Sequence, residues 1–250
     1  KSKKIKLKET EALLRLSGGD GIKLLNIFEL VINSEDSDTI TISDDLVLSK
    51  VQKNTVLYDK TGEQHYDIIS AFIKSIRGSD PNGAVYWLAR MIEGGEDVKF
   101  IARRMLISAS EDIGMANPTA LVIANNTFQA VTTIGYPEAR IILSQCAIYL
   151  ATSAKSNASY MAINKAQQAV KQTGDLSVPL PLRNAPTKLM KDLGYGKEYK
   201  YAHDYMNNFV VEEFLPEELS GTPFYEPGKN QRENAINDFL KKRWKGKYDV

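Results

Sequence analysis

The amino-acid sequence predicts an all-α protein, and two observations support this: the placement of glycine and proline, and the spacing of apolar residues. Between about residues 62 and 174, glycines and X-Pro pairs bound a series of apolar segments. Glycine tolerates the left-handed conformation that ends a helix, and proline fits the first helical turn. Inside the segments, apolar residues recur at intervals of three and four, as in amphipathic helices. Short connections then make consecutive helices antiparallel neighbours.

The first sixty residues are predicted to form a separate, small helical unit. "ETEALLRLS" reads as a short helix, and Asp20 is placed to cap a second helix, "GIKLLNIFELVIN". "TITIS" is a short extended piece, and Ser43 can cap "DDLVLSKVQK". The stretch "YDKTGEQ" joins this unit to the larger one.

The larger part is predicted to be a row of helices from about residue 62 to residue 215. "HYDIISAFIKSIR" stops at Gly78, Asp80-Pro81 opens the next helix, and "DVKFIARRMLISASEDI" runs to Gly114. Three further helices start near Pro118, Pro137 and residue 157. After about residue 174 the chain is richer in proline, glycine and tyrosine. We predict an irregular segment there, which its aromatic residues keep ordered.

Composition narrows the class of protein. The chain has 250 residues, a formal net charge of +1 and one cysteine, Cys146, which excludes an internal disulfide and suits a reducing, cytoplasmic setting. Lysines crowd both ends, where solvated tails are a commoner role than nucleic-acid contact. No apolar run approaches the ~18 residues of a membrane helix. The missing initiator methionine leads us to expect a piece of a longer protein.

Sequence signatures of catalysis were sought without success. Gly196-Lys197 is followed by Glu198, which cannot supply the hydroxyl of a phosphate-binding loop. His65 and His203, with one cysteine, do not make an ordinary zinc site, and His203 has no evident nucleophile beside it. We therefore expect no catalysis, metal or cofactor in this chain alone.

Long segments nevertheless resemble a known family. The run from His65 to Pro118, "HYDIISAFIKSIRGSDPNGAVYWLARMIEGGEDVKFIARRMLISASEDIGMANP", is similar to the replication-associated recombination protein A family (RarA, also called MgsA), as are "AIYLATSAKSN", "VPLPLRNAPTKLMKDLGYGKEYKYAHDY" and "FLPEEL". These are AAA+ ATPases related to clamp loaders. The resemblance implies a helical AAA+ lid at residues 1–58 and a helical tetramerisation domain, like a clamp-loader collar, at residues 59–250.

The resemblance also implies a function for the whole protein. Family members carry an N-terminal ATPase domain that uses ATP and Mg²⁺, and they assemble as homotetramers. They act in replication-fork maintenance, recombination and repair, and they bind single-stranded or gapped DNA and single-stranded-DNA-binding protein. We therefore expect a cytoplasmic, nucleoid-associated protein in which nucleotide-dependent lid motion is coupled to the tetramer.

In such lids an arginine near a Gly-Asp pair reaches the γ-phosphate of ATP. Here Asp20 matches the motif but Ile22 stands where the arginine is expected, and an isoleucine cannot contact a phosphate. Lys23 is the nearest cation, about 100° away around the helix, and a solvated lysine is an equally good interpretation. We expect weakened sensing of the γ-phosphate.

Two further sets of residues are candidates for binding. A basic and aromatic segment has the composition of a nucleic-acid surface, although tyrosine rings more often pack inside a fold, and we favour packing. Its members are Lys188, Lys191, Tyr195, Lys197, Tyr199, Lys200 and Tyr201. Tyr86, Trp87 and Arg90 are candidate anchors in a core or a subunit interface, and the sequence leaves both open.

Two other classes of protein remain as alternatives. A solenoid-like interaction scaffold would explain the recurring glycines, but the segments between them share no repeated pattern. A stand-alone DNA-binding helical protein would be more strongly basic than this chain.

Overall fold

The computed structural model describes residues 3–17, 19–53 and 63–248, with the backbone alone described at residues 23, 52–53 and 63–65. Helices dominate these residues, in agreement with the predicted class. The first elements along the chain are β1 (Lys4–Leu7), α1 (Glu11–Ser17), α2 (Gly21–Asn33), β2 (Thr39–Ile42) and α3 (Asp44–Lys53).

One element of this part was not predicted. β1 pairs in parallel with β2, with Lys4 opposite Thr39 and Leu7 opposite Ile42. Its four residues are all exposed, so the sequence "KIKL" carries no apolar run that marks a buried strand. The all-α class therefore holds with one small sheet added.

Two reciprocal caps hold the ends of α1 and α3 together. The backbone N–H of Ala12, in α1, donates to Asp44 Oδ1 at 2.8 Å, and the N–H of Asp44 donates to Glu9 Oε2 at 2.9 Å. Each carboxylate thus satisfies a free amide at a helix start. Beneath them lies an apolar cluster that unites the helices with β2, and its buried members are Ala12, Leu13, Ile27, Val31, Ile40, Ile42 and Val47.

The remaining α-helices follow the predicted punctuation closely. α4 ends at Arg77, directly before Gly78, and α5 begins at Pro81. Their bounds are α4 (Glu63–Arg77), α5 (Pro81–Glu93), α6 (Val98–Ser108), α7 (Thr119–Ile134), α8 (Ala139–Thr152), α9 (Ala158–Thr173), α10 (Lys188–Asp192) and α11 (Gln231–Trp244). α6 packs on α7 and α7 on α8, through buried small and branched residues that include Ala120, Ala124 and Leu143.

Two predictions in this part were wrong in detail. The helix expected to run to Gly114 is α-helical only to Ser108 and continues as a π-helical turn, Ala109–Ile113. The irregular, ordered segment after residue 174 is present as a series of short 3₁₀ turns, but it ends in α11, which was not predicted. The basic residues near the C-terminus lie in the last turn of α11 and just after it, not in a tail.

The chain divides into two compact units. The first comprises Lys1–Phe72 and Tyr86–Asp97, and the second comprises Ile73–Val85 and Val98–Val250. The boundary predicted between residues 58 and 59 lies outside the described residues and stays a prediction. Among the described residues, no helix combines the length and the apolar character needed to cross a membrane.

Candidate functional site

The exposed sides of α7 and α8 carry almost no charge, and we call them the charge-poor surface. From residue 119 to residue 152 the charged side chains are Glu138 and Arg140, whereas a quarter of the whole chain is charged. On α8 the exposed positions form one stripe at helical spacing: Ile141, Gln145, Ile148 and Thr152. The solvent-facing side of a surface helix normally carries charges.

The fold beneath this surface is complete. The opposite side of α8 is fully buried and includes Leu143, Cys146 and Leu150. Burial raises the pKa of the Cys146 thiol, which fits the prediction of a small buried residue. Because the inner side of α8 is packed, the exposed isoleucines are not a sign of a missing core.

Such a surface is suited to protein contact. Interface cores are depleted of charged residues, and an exposed apolar patch indicates a partner. α7, which packs on α8, adds exposed apolar residues of its own: Leu121, Val122 and Ile134. Sequence analysis missed this surface, although the scarcity of charge between residues 119 and 152 is a signal that the sequence contains.

A second feature of the same unit is a fully buried carboxylate, Glu233, in the first turn of α11. Tyr225 Oη donates to its Oε1 at 3.1 Å, and Asn230 Nδ2 donates to its Oε2 at 2.5 Å. The Ser156 hydroxyl and the Gly228 N–H donate as well. We call these five residues the Glu233 cluster.

The Glu233 cluster holds a charge with neutral donors. Burial raises the pKa of Glu233, but the hydrogen bonds from Ser156, Asn230, Gly228 and Tyr225 outweigh that effect and leave the pKa lowered. A Cβ at Gly228 would lie 2.7 Å from Glu233 Oε2, so only glycine allows this approach. The cluster fastens the start of α11 to the connection between α8 and α9.

An apolar cavity of about 540 Å³ opens beside this cluster. The start of α9 lines one side and the region around α11 lines the other. Lining residues include Ser159, Ala162, Ile163, Phe224 and Ile236. It has the character of a contact groove and offers no set of polar groups for chemistry.

The residues proposed to sense nucleotide lie at the start of α2. Asp20 Oδ1 accepts from the N–H of Ile22 at 2.8 Å, which confirms the predicted cap. The side chain of Ile22 is 75% exposed, an unusual position for isoleucine. The side chain of Lys23 lies outside the described residues, so its role stays a prediction.

The basic and aromatic segment is largely at the surface. Lys188 and Lys191 lie on the short helix α10, and with Lys197 and Lys200 they are exposed. The packing that we favoured for the tyrosines holds for Tyr195, whose ring lies 4.9 Å from the Arg183 guanidinium. It does not hold for Tyr199 and Tyr201, which are exposed.

The candidate anchors on α5 form a small stack. The rings of Tyr86 and Trp87 meet edge to face at 5.0 Å, and the guanidinium of Arg90 lies 5.6 Å from the Trp87 ring. Tyr86 and Arg90 are exposed and Trp87 is half-buried. Their role in an interface stays a prediction.

Comparison with known proteins agrees with this architecture. The family model "MgsA AAA+ ATPase C terminal" matches residues 78–244, and the model "AAA C-terminal domain" matches residues 1–77. Replication-associated recombination protein A of Coxiella burnetii is 42% identical over 231 residues, which are 91% of this chain and 52% of the relative. The proteins of the same name in Escherichia coli K12 and Bacillus subtilis are 39% and 41% identical, over 92% of this chain and 52% and 55% of their own lengths.

The chain thus spans about half the length of these curated relatives. The first family model ends at the last residue of α4, and the second covers the π turn, the charge-poor surface and the Glu233 cluster. The chain therefore belongs to the MgsA C-terminal family of AAA+ ATPases.

Proposed function

We propose that this chain is the C-terminal part of an AAA+ ATPase that acts in replication-fork maintenance, recombination and repair. The matched family models and the printed names of the relatives support this role. In this proposal the chain alone is not catalytic, and ATP and Mg²⁺ are bound by the ATPase domain of the whole protein. The whole protein works in the cytoplasm, in association with the nucleoid.

The part that we propose for this chain is self-association into a homotetramer. The observation that carries it is the charge-poor surface, where Ile141 and Ile148 are exposed on a helix whose other side is fully packed. Burying such side chains in a subunit contact removes apolar area from water at about 25 cal/mol per Å². No charge on the exposed stripe of α8 has to be desolvated for this contact.

Light scattering after size-exclusion chromatography tests this proposal. At micromolar concentration we expect a particle of four times the 27.9 kDa chain mass. A monomer throughout that concentration range would contradict it, and would favour the alternative of a scaffold that acts alone.

We further propose that the lid, residues 1–58, follows the nucleotide state only weakly. The exposed Ile22 at the start of α2 supports this, because it offers no charge to a γ-phosphate. In the whole protein, Ile22→Arg should change ATP turnover, since a guanidinium there would stabilise phosphate charge. Unchanged turnover would count against the proposal.

DNA contact is a second candidate function, and the exposed rings of Tyr199 and Tyr201 beside exposed lysines favour it. Stacked bases and neutralised phosphates would let this segment bind single-stranded or gapped DNA, next to single-stranded-DNA-binding protein at a fork. Titration with single-stranded DNA at several salt concentrations tests it. Binding that is absent, or indifferent to salt, would remove this candidate.

A further inference from the structure

Helix α4 ends in an ion pair inside the second unit. Arg77 is its last residue, and its Nε donates to Asp112 Oδ1 at 2.5 Å, while its Nη2 lies 3.4 Å from Glu111 Oε1. The hydrogen bond to Asp112 raises the pKa of Arg77. Arg77 is also the residue at which the first matched family model ends.

The partner of Arg77 is firmly fixed. Asp112 lies in the π-helical turn and is 7% exposed. Its other oxygen accepts from the Ser108 hydroxyl at 2.8 Å, and its backbone carbonyl accepts from the N–H of Ser156 at 2.8 Å. Single π turns within helices are uncommon and are found frequently at functional positions.

A second contact joins the turn after α4 to the end of α8. Lys155 Nζ donates to the Ser79 hydroxyl at 3.1 Å, and to the carbonyl oxygens of Leu150 and Ala151 at 3.0 and 2.9 Å. Those carbonyls belong to the last turn of α8, where a cation is favourable. The same lysine therefore touches both the turn after α4 and the helix that presents Ile141 and Ile148.

The turn between α4 and α5 is also tightly constrained. Ser79 adopts a φ of 61°, which is uncommon for a residue other than glycine. Gly83 is required beside it, because a Cβ there would lie 2.8 Å from Asp80 Oδ2 and 2.9 Å from Ser75 Oγ. A displacement of α4 is therefore passed to its contacts and not absorbed in a loose loop.

We propose that the Arg77–Asp112 and Ser79–Lys155 contacts form a clamp that couples helix α4 to helix α8, so that self-association through the charge-poor surface responds to the nucleotide bound by the whole protein. This inference rests on the proposed function. α4 begins in the first unit and ends in the second, so one continuous helix reaches the clamp from the lid side of the chain. Arg77 and Lys155 are positioning residues in this scheme.

The test uses the full-length protein and measures the dissociation constant of self-association in ADP and in adenylyl-imidodiphosphate. For the wild type we expect the two constants to differ about fivefold or more, the usual lower range of allosteric coupling. In the double variant Arg77→Gln/Asp112→Asn, which keeps a neutral hydrogen-bonding pair, the ratio should fall to about one. The constant in ADP should stay within about twofold of the wild type.

Two further variants make the result specific. Arg103→Gln removes an exposed arginine that stacks on Phe100 at 5.7 Å, outside the clamp, and should leave the ratio unchanged. Arg77→Lys keeps the charge but loses the planar fork, and should give an intermediate ratio. If the double variant does not fold, Arg77→Lys decides.

The outcomes separate this proposal from the previous one. A wild type that stays monomeric in both nucleotides contradicts the proposed function. A wild type that assembles with equal constants in both nucleotides, or clamp variants that keep the wild-type ratio, overturns the clamp alone.

Discussion

The Glu233 cluster and the charge-poor surface differ in whether the chain satisfies its own groups. At Glu233 the chain buries a negative charge completely and surrounds it with neutral donors from residues 156, 225, 228 and 230. On α8 it leaves Ile141 and Ile148 in water. A chain that satisfies a costly buried charge has folded fully, so the exposed stripe is better explained by a partner than by poor packing.

The largest effect on stability is expected at the buried carboxylate. Glu233→Gln places an amide NH₂ among groups that donate hydrogen bonds, and we expect it to lower the free energy of unfolding by about 2–4 kcal/mol. Urea denaturation measures this loss. The control Glu217→Gln, at an exposed position, should stay within about 0.5 kcal/mol of the wild type. Equal losses in both variants would mean that the cluster is not a satisfied buried charge.

The same carboxylate should make stability depend on acidity. The pKa of Glu233 is lowered in the folded chain, so its contribution is fully present above the unfolded value of about 4.3. That contribution is lost as the pH falls through the lower folded pKa. Wild type should therefore lose more stability than Glu233→Gln between about pH 5 and pH 3. Parallel curves for the two proteins would contradict this.

A smaller effect is expected at the hydroxyl that serves Glu233. Burial, followed by the charge of Glu233, raises the pKa of Tyr225 to about 12, so the phenol stays protonated and donates at neutral pH. Tyr225→Phe removes one donor and should cost about 1 kcal/mol, measured by thermal unfolding. Tyr86→Phe, on an exposed ring, is the matched control and should change little. A Tyr225 variant as stable as the control would make the hydroxyl dispensable.

Sequence reasoning succeeded where structure is decided locally. Gly78 and Pro81 bound α4 and α5 as predicted, because the backbone preferences of these residues act within one or two turns. The caps at Asp20 and Ser43 are local in the same way. The family resemblance added what local rules cannot supply, and the matched family models confirm it.

Long-range contacts explain most of what was missed. The π turn depends on Asp112 meeting Arg77, 35 positions earlier, and the Glu233 cluster depends on Ser156, which is far away in the chain. β1 forms only because β2 lies beside it. The start of α11 did carry a local signal, Asn230 followed three residues later by Glu233, and its N–H···Oδ1 bond of 3.0 Å is present.

Sedimentation equilibrium on two matched variants tests the central claim, that copies of this chain meet at the charge-poor surface. Ile141 and Val211 are 58% and 60% exposed, so a glutamate at either position is equally tolerable in an isolated chain. We predict that Ile141→Glu weakens self-association about tenfold or more, because a charge in the contact must be desolvated. Val211→Glu should leave the dissociation constant within about twofold of the wild type. Equal weakening by both variants, or none by Ile141→Glu, would contradict the account.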